Sequence, residues 1–271
     1  MNGTDEDLIK AGAEIIGSAV KEIAKDVYED GGKPVLKPTA QCFGLIPRAI
    51  KAAFLPMEQW ILKKEYNLAE TEAILQEKLQ NVKPENIVSP EPHIAVPALQ
   101  YISYCMDNKE LREMYANLLA NSMNKVVKDG VHPSFVEIIK QLSPDEAKIL
   151  KEMQKEKYEY PIISLWYRNK ENNGVEVVRF FSNIVEKCGC EKFENFQEYF
   201  DNLQRLGLIS ISMTEWFIDE EIYKSLEEHT YIAKFMVIPD LHLKSGYIKT
   251  DIKRGVITTT GFGKAFCSIC F

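Results

Sequence analysis

The chain has 271 residues, enough for one large domain or two smaller ones that each bury a core. Hydrophobic residues make up 45% of it and charged residues 27%, an ordinary globular composition that argues against wholesale disorder. The formal charge of −7 is opposite in sign to that of most proteins that neutralise phosphates. Composition therefore disfavours a nucleic-acid partner but leaves room for a local basic patch.

The first residues and the hydropathy of the chain indicate the cellular location of the protein. Residues Met1–Asp7 carry three acidic groups and no basic ones, the reverse of a secretory signal. We find no apolar run of the roughly 18 to 20 residues that a membrane span needs. We therefore expect a cytoplasmic protein with reduced thiols, to which peripheral membrane association could be added.

The N-terminal half reads as helical. Apolar residues at 3-4 spacing predict an amphipathic helix over Thr4–Tyr28, and a second apolar segment, Gln41–Leu62, leads into a helical pattern that runs from Pro56 to Leu79. Four prolines between Asn81 and Pro97 predict an extended connection.

Two strong helices follow this connection. Asp107 and Glu110 resemble a capping box ahead of the first, and Pro133 precedes the second. Ser143-Pro144-Asp145-Glu146 is the clearest helix start in the chain, because it combines a Ser N-cap, a first-turn Pro and a Glu three residues later.

The residue composition changes from helix-forming to strand-forming after Met153. Two runs rich in β-branched and aromatic residues, Pro161–Arg168 and Val175–Phe181, flank Asn172-Asn173-Gly174 and predict a hairpin. A helix over Phe193–Leu206, a strand over Leu208–Ser212, an inserted helical stretch around Asp219–Glu228 and a late strand pair turning at Arg254-Gly255 complete the pattern of a winged helix. The predicted fold is mainly α, with a helical domain over residues 1–141 and a winged-helix-like α+β domain over residues 142–271.

Several blocks between Pro56 and Leu150 resemble the bacterial abortive infection alpha family. They include Ile94-Ala95-Val96-Pro97-Ala98-Leu99, the helix Glu110–Ala120 with its sequence ELREMYANLLA, and the run His132–Ala147 with its sequence HPSFVEIIKQLSPDEA. The resemblance implies a role in defence against phage, in which an infected cell stops growing or dies before progeny emerge. It brings no catalytic positions to this chain.

From the resemblance and the residues together we predict a non-enzymatic anti-phage protein that acts through contacts with a protein partner or phage component. Polar side chains within the matching block are the predicted interaction surface: Arg112, Asn117, Asn121, His132 and Glu137. His132, Ser134 and Glu137 lie close in sequence, but Ser134 falls in a first helical turn, where capping is the default role. We expect no cofactor and no small-molecule substrate.

Two other functions remain open. A membrane-perturbing effector would use the apolar helices Leu8–Val27 and Gln41–Leu62. A winged-helix DNA-binding regulator would use a basic wing, Lys249, Lys253, Arg254 and Lys264, although the helix that would enter the groove is acidic. The same wing could contact a protein partner instead.

The cysteines suggest one further site. Cys188 and Cys190 form a C-x-C, and Cys267 and Cys270 form a C-x-x-C, so together they could supply four thiolates to zinc. The spacing of the first pair is poor for zinc, and we expect no metal. The alternative is that these cysteines act as small hydrophobic residues in the core.

Overall fold

A computed structural model of the protein describes residues 68–102, 104–105, 108–155 and 159–271. The described residues up to Gln141, together with Ile269–Phe271, form one compact unit, and Leu142–Ser268 form a second. Predictions that lie outside the described residues are the helix Thr4–Tyr28, the segment Gln41–Leu62, the start of the helix from Pro56, and the capping role of Asp107.

The first unit is helical over its described part. Its helices are α1 (Leu68–Leu79), α2 (Pro92–Ile102), α3 (Lys109–Ser122) and α4 (Ser134–Lys140), with 3₁₀ turns at Pro84–Asn86 and Lys128–Gly130. Helix α3 is the central element, since α1, α2 and α4 all pack on it. The largest side chains that this packing removes from solvent are Leu75, Leu79, Leu99, Tyr115 and Phe135.

The extended connection predicted between Asn81 and Pro97 is wrong over its last part, because Pro92–Pro97 belong to helix α2. Pro92 occupies the first helical turn, where its missing N–H is no loss, and Pro97 lies inside the helix. An interior proline costs about 3 kcal/mol. Burial of Ile94, Leu99 and Ile102 contributes roughly 1.5 to 3 kcal/mol for each side chain, and this outweighs the cost.

Helix α3 begins with a side-chain cap at Asn108. The side chain of Asn108 accepts a hydrogen bond from the Leu111 amide at 3.0 Å, so Asn108 is the N-cap. The helix ends at Ser122, and Met114, Leu118 and Leu119 on it are buried.

The second unit combines helices with a four-stranded antiparallel sheet. Its strands are β1 (Glu159–Arg168), β2 (Gly174–Phe181), β3 (Ile209–Ser212) and β4 (Lys249–Thr259), in the order β2-β1-β4-β3. Its helices are α5 (Pro144–Lys155), α6 (Ile184–Lys187), α7 (Phe196–Arg205), α8 (Glu221–Glu227), α9 (Thr230–Ala233), α10 (Asp240–Lys244) and α11 (Gly261–Cys270), the last two residues of which belong to the first unit.

Several predicted elements of this unit are confirmed. Strands β1 and β2 form the predicted hairpin, with Asn172 in the left-handed region at φ 64°. Helix α7 follows a 3₁₀ turn at Phe193–Asn195, and Gly207 ends it with φ 72°. Helix α8 lies within the predicted insertion between β3 and β4.

The predicted turn at Arg254-Gly255 is wrong. Strand β4 continues through both residues, which pair with Ile163 and Ile162 of β1. A Cβ at Gly255 would collide with the carbonyl oxygen of Ser212 on β3. The glycine therefore allows close approach of a neighbouring strand rather than a reversal of the chain.

Candidate functional site

The N-terminus of α5 forms one wall of an open cleft of about 420 Å³ in the second unit. The other wall comes from the segment before α7 and from α7 itself. Its lining residues are mostly polar and acidic: Ser143, Pro144, Asp145, Glu146, Glu191, Lys192, Asn195, Glu198, Tyr199 and Asn202.

Asp145 is a buried carboxylate of this cleft, at 7% exposure. Its Oδ2 atom accepts hydrogen bonds from the Tyr199 hydroxyl at 2.8 Å and from the Glu191 amide at 3.0 Å, and the Lys192 amide lies 3.4 Å away. Lys148 Nζ lies 3.2 Å from Oδ1. Burial alone would raise the pKa of Asp145, but these hydrogen bonds outweigh it, so the pKa lies below its ordinary value.

Glu146 completes the capping box that the sequence predicts. The Ser143 amide donates to Glu146 Oε2 at 2.6 Å, and the Glu146 amide donates to Ser143 Oγ at 3.2 Å. The second carboxylate oxygen of Glu146 accepts from the Asn202 side chain at 2.8 Å. This bond fixes α7 to the start of α5.

The chemistry of the cleft follows from these partners. Both buried carboxylates are occupied by donors from the chain itself, so they position the walls and are poorly placed for proton transfer to a bound molecule. The exposed charges at the mouth are Glu191 and Glu198 against Lys192. The mouth therefore favours polar or basic groups.

The predicted interaction residues lie in the first unit and differ in their surroundings. Asn117 Nδ2 donates to the carbonyl oxygen of Cys270 at 2.9 Å, and Asn121 Nδ2 donates to that of Ile269 at 2.7 Å. These two amides thus hold the C-terminal end of the chain against α3.

His132 and Glu137 belong to α4 and its entry. His132 Nδ1 accepts from the Ser134 amide at 3.2 Å and lies 2.6 Å from Ser134 Oγ, so the imidazole caps the helix. Glu137 pairs with Lys140 at 3.7 Å on the exposed side of α4. Arg112 lies in the first turn of α3. A partner-contacting role for the set stays a prediction.

The predicted basic wing is divided by the structure. Lys249 and Lys253 share one face of β4, and Lys253 Nζ lies 5.3 Å from the ring centroid of Trp166 on β1. Arg254 points to the opposite face, where it pairs with Glu227 at 2.6 Å and Glu220 at 3.0 Å. Lys264 lies on α11. The four residues therefore do not form one continuous patch on a turn.

The cysteines also separate. The Sγ atoms of Cys188 and Cys190 lie 3.3 Å apart, whereas Cys267 and Cys270 are buried on α11. Burial raises the pKa of Cys267 to about 12. Within the described residues no group of three or more His, Cys, Asp or Glu side chains could hold a metal ion. The four-cysteine zinc arrangement is thus not assembled there.

The insertion between β3 and β4 carries a feature that the sequence patterns above do not predict. Large apolar side chains on it are exposed to solvent, including Ile218 at 98%, Val237 at 77%, Leu241 at 73% and Trp216 at 58%. The sequence signal was present, because Trp216-Phe217-Ile218 lies between acidic residues with no helical or strand period to bury it.

The loop that bears Trp216 and Ile218 is anchored. The Phe217 amide donates to the Tyr223 hydroxyl at 3.0 Å, and that hydroxyl donates to the Gly255 carbonyl of β4 at 2.9 Å. The Glu221 amide donates to Asp219 Oδ1 at 3.1 Å. The two exposed side chains therefore project from a fixed backbone, and little conformational freedom would be lost if they bound a partner.

In the part of the chain that the structure describes, no helix combines the length and the apolar character needed to cross a bilayer. The segments invoked for membrane perturbation, Leu8–Val27 and Gln41–Leu62, lie outside that part. Their membrane role stays a prediction.

Comparison with known proteins gives a family. The family model described as abortive infection alpha matches residues 63–270. No curated protein matches the chain. A solved structure of an uncharacterized protein from the hydrocarbon-degrading marine bacterium Alcanivorax borkumensis SK2 is similar at 18% identity and a TM-score of 0.36, over 50% of this chain and 90% of that one.

Proposed function

Because the chain belongs to the abortive infection alpha family, we propose that it is a non-enzymatic, cytoplasmic phage-defence protein that acts by binding another protein. The observation that carries the protein-contact part is the pair Trp216 and Ile218, exposed on either side of the anchored residue Phe217. Exposed aromatic and aliphatic anchors on a fixed backbone are typical of interface centres.

The charge around this pair specifies the partner surface. Glu215 precedes Trp216, and Asp219, Glu220 and Glu221 follow Ile218. Two of these four carboxylates are paired, Glu220 with Arg254 at 3.0 Å and Glu221 with Lys224 at 2.6 Å, so the rim keeps a net negative charge. An apolar centre with an acidic rim is complementary to a protein surface that has an apolar depression bordered by Lys or Arg. Nucleic acid and anionic membranes would be repelled by the same rim.

The arrangement of the second unit supports a docking role. We infer a winged-helix-like module from the order of helix α5, strand β1, helices α6 and α7, and strands β3 and β4, with β2 added and the insertion in place of the wing. Helix α7, in the position of a recognition helix, carries Glu198 and Asp201. Asp201 pairs with Arg179 at 3.4 Å. An acidic recognition helix favours protein contact over DNA contact.

The function is tested by phage challenge. A susceptible bacterium that expresses the full chain is infected with a phage panel at low and high multiplicity. We expect protection at low multiplicity and collapse of the culture at high multiplicity, because infected cells stop growing or die before progeny emerge. Equal growth with and without the protein against every phage would contradict the defence role.

The contact surface is tested by Trp216→Ser and Ile218→Ser in the same assay. Both side chains are exposed, so each change alters the free energy of unfolding by only about 0.5 kcal/mol or less. We expect protection to be lost while the thermal midpoint is kept. Val126→Ser, at a residue 72% exposed in the first unit, is the matched control and should protect. Full protection by both variants would refute the role of Trp216 and Ile218 in binding the partner.

A DNA-binding role predicts a different result. If Lys249 and Lys253 contacted phosphates, retention on non-specific DNA would fall steeply with salt. We expect weak retention at low salt and identical behaviour of a Lys249→Gln/Lys253→Gln variant. Strong, salt-sensitive retention that this variant abolishes would favour the regulator over the docking protein.

A further inference from the structure

The turn Cys188-Gly189-Cys190 brings two thiols into contact. Helix α6 ends at Lys187, and Gly189 adopts φ 65°, which folds the chain back so that the Cys190 amide donates to the Val185 carbonyl at 3.1 Å. Glycine suits this left-handed conformation because it has no Cβ. The reversal leaves the two Sγ atoms 3.3 Å apart, and both residues are half-buried.

The two thiols are chemically unequal. The hydrogen bond from Cys190 lowers the pKa of Cys188, and the same bond raises the pKa of Cys190. Cys188 is therefore the better thiolate, with a proton donor at its side. Cys267 differs, because burial disfavours its thiolate.

We propose that Cys188 and Cys190 are a redox-modification site, at which a small-molecule disulfide such as oxidised glutathione converts the two thiols reversibly into an intramolecular disulfide. The Cys188 thiolate attacks one glutathione sulfur, forms a mixed disulfide and releases one glutathione thiolate. Cys190 then gives its proton to solvent and attacks the Cys188 sulfur, and the second glutathione thiolate leaves. The protein loses two electrons, and one glutathione disulfide becomes two thiols.

The site is coupled to the cleft through the residues that follow it. Cys190 Sγ lies 3.7 Å from the Asp145 carbonyl oxygen, and Lys148 Nζ lies 3.3 Å from the Gly189 carbonyl oxygen. The next two amides, Glu191 and Lys192, donate to the Asp145 carboxylate. A disulfide requires the sulfurs to approach to about 2.05 Å, so they must move together by about 1.2 Å. That movement displaces the start of the segment that clasps Asp145.

The first experiment places the full chain in glutathione buffers of graded oxidised-to-reduced ratio, followed by acid quench, thiol alkylation and mass spectrometry. We expect a species 2 Da lighter than the reduced protein, mapped to the peptide that contains both cysteines and reversed by dithiothreitol. Cys188→Ser and Cys190→Ser should each abolish it. The matched control Cys105→Ser, at a half-buried thiol elsewhere in the chain, should leave it unchanged.

Three results would overturn the proposal. One is a chain that keeps both thiols alkylatable at every ratio. Another is a stable glutathione adduct on a single cysteine that Cys190 does not resolve. The third is a disulfide that joins either residue to a different cysteine. None of these results depends on the defence assay, because the readout is chemical.

A second measurement tests the coupling. Hydrogen exchange at the Glu191 and Lys192 amides is compared between the reduced and the oxidised chain, with the Leu203 amide of α7 as internal reference. We expect exchange at the two clasping amides to accelerate at least tenfold on oxidation, while the reference amide is unchanged. Equal exchange in both forms would show that the disulfide closes without reaching the cleft, and would refute the coupling.

Discussion

Asp145→Asn removes the charge of the buried carboxylate at the cleft with the smallest change in shape, and so tests the contacts that this carboxylate makes, here called the clasp: those with Glu191, Lys192, Tyr199 and Lys148. The carboxylate receives two backbone amides, a tyrosine hydroxyl and an ammonium group, and its side chain is only 9% exposed. Asparagine keeps the volume but replaces one acceptor oxygen by a donor. Either orientation of the amide therefore sets an N–H group against an N–H or O–H donor of the chain.

The magnitude follows from the number of donors left without an acceptor. A buried donor that loses its partner costs about 1 to 3 kcal/mol, and hydrogen bonds to a charged group are stronger than neutral ones. In one orientation of the amide the Lys148 ammonium group loses its acceptor, and in the other the Lys192 amide and the Tyr199 hydroxyl lose theirs. We therefore expect the free energy of unfolding to fall by about 2 to 4 kcal/mol at pH 7.

Urea unfolding of wild type and variant between pH 7 and pH 3 is the assay. Because the folded-state pKa of Asp145 lies below its unfolded value, its contribution is complete above the unfolded pKa and is lost as the pH falls through the folded pKa. The difference between the two proteins should therefore narrow in acid. Glu198→Gln, at an exposed carboxylate of the same cleft, is the control and should change stability by about 0.5 kcal/mol or less.

Unfolding of Asp145→Asn at the wild-type urea concentration at pH 7 would refute a stabilising role for the hydrogen bonds to Asp145. A difference in unfolding free energy between the two proteins that stays constant down to pH 3 would refute it as well, since a charge-independent effect would then explain the loss. A large effect of Glu198→Gln would show that the acidic mouth of the cleft, and not the clasp, controls stability.

Two further substitutions test the packing of α11 and the anchoring of its end. Gly263→Ala should lower the free energy of unfolding by about 1 to 3 kcal/mol, because a Cβ there collides with the Leu208 carbonyl oxygen, whereas Gly261→Ala, which meets nothing within 4 Å, should be neutral in the same urea titration. Asn121→Ala should raise amide exchange in the last turn of α11 and cost about 1 kcal/mol, because the Ile269 carbonyl loses its donor. Unchanged exchange would show that this bond is dispensable.

The sequence alone determined the features that depend on residues a few positions apart. The capping box of Ser143 and Glu146 needs only three-residue spacing, and the structure forms both of its hydrogen bonds. The β1–β2 hairpin follows from a local turn between two strand-forming runs. Family membership was readable for the same reason, since the matching blocks are contiguous stretches of sequence.

The tertiary structure decided the features that join distant residues. The partners of Asp145 include amides 46 and 47 positions away, and no local pattern marks them. By its local sequence Gly255 is a turn residue, yet in the structure it allows β3 to approach β4 closely. Pro97 is by type a helix breaker, yet burial of its neighbours outweighs the cost of placing a proline inside α2. Local sequence fixes propensity and capping, whereas the burial and close approach that override them exist only once the elements pack.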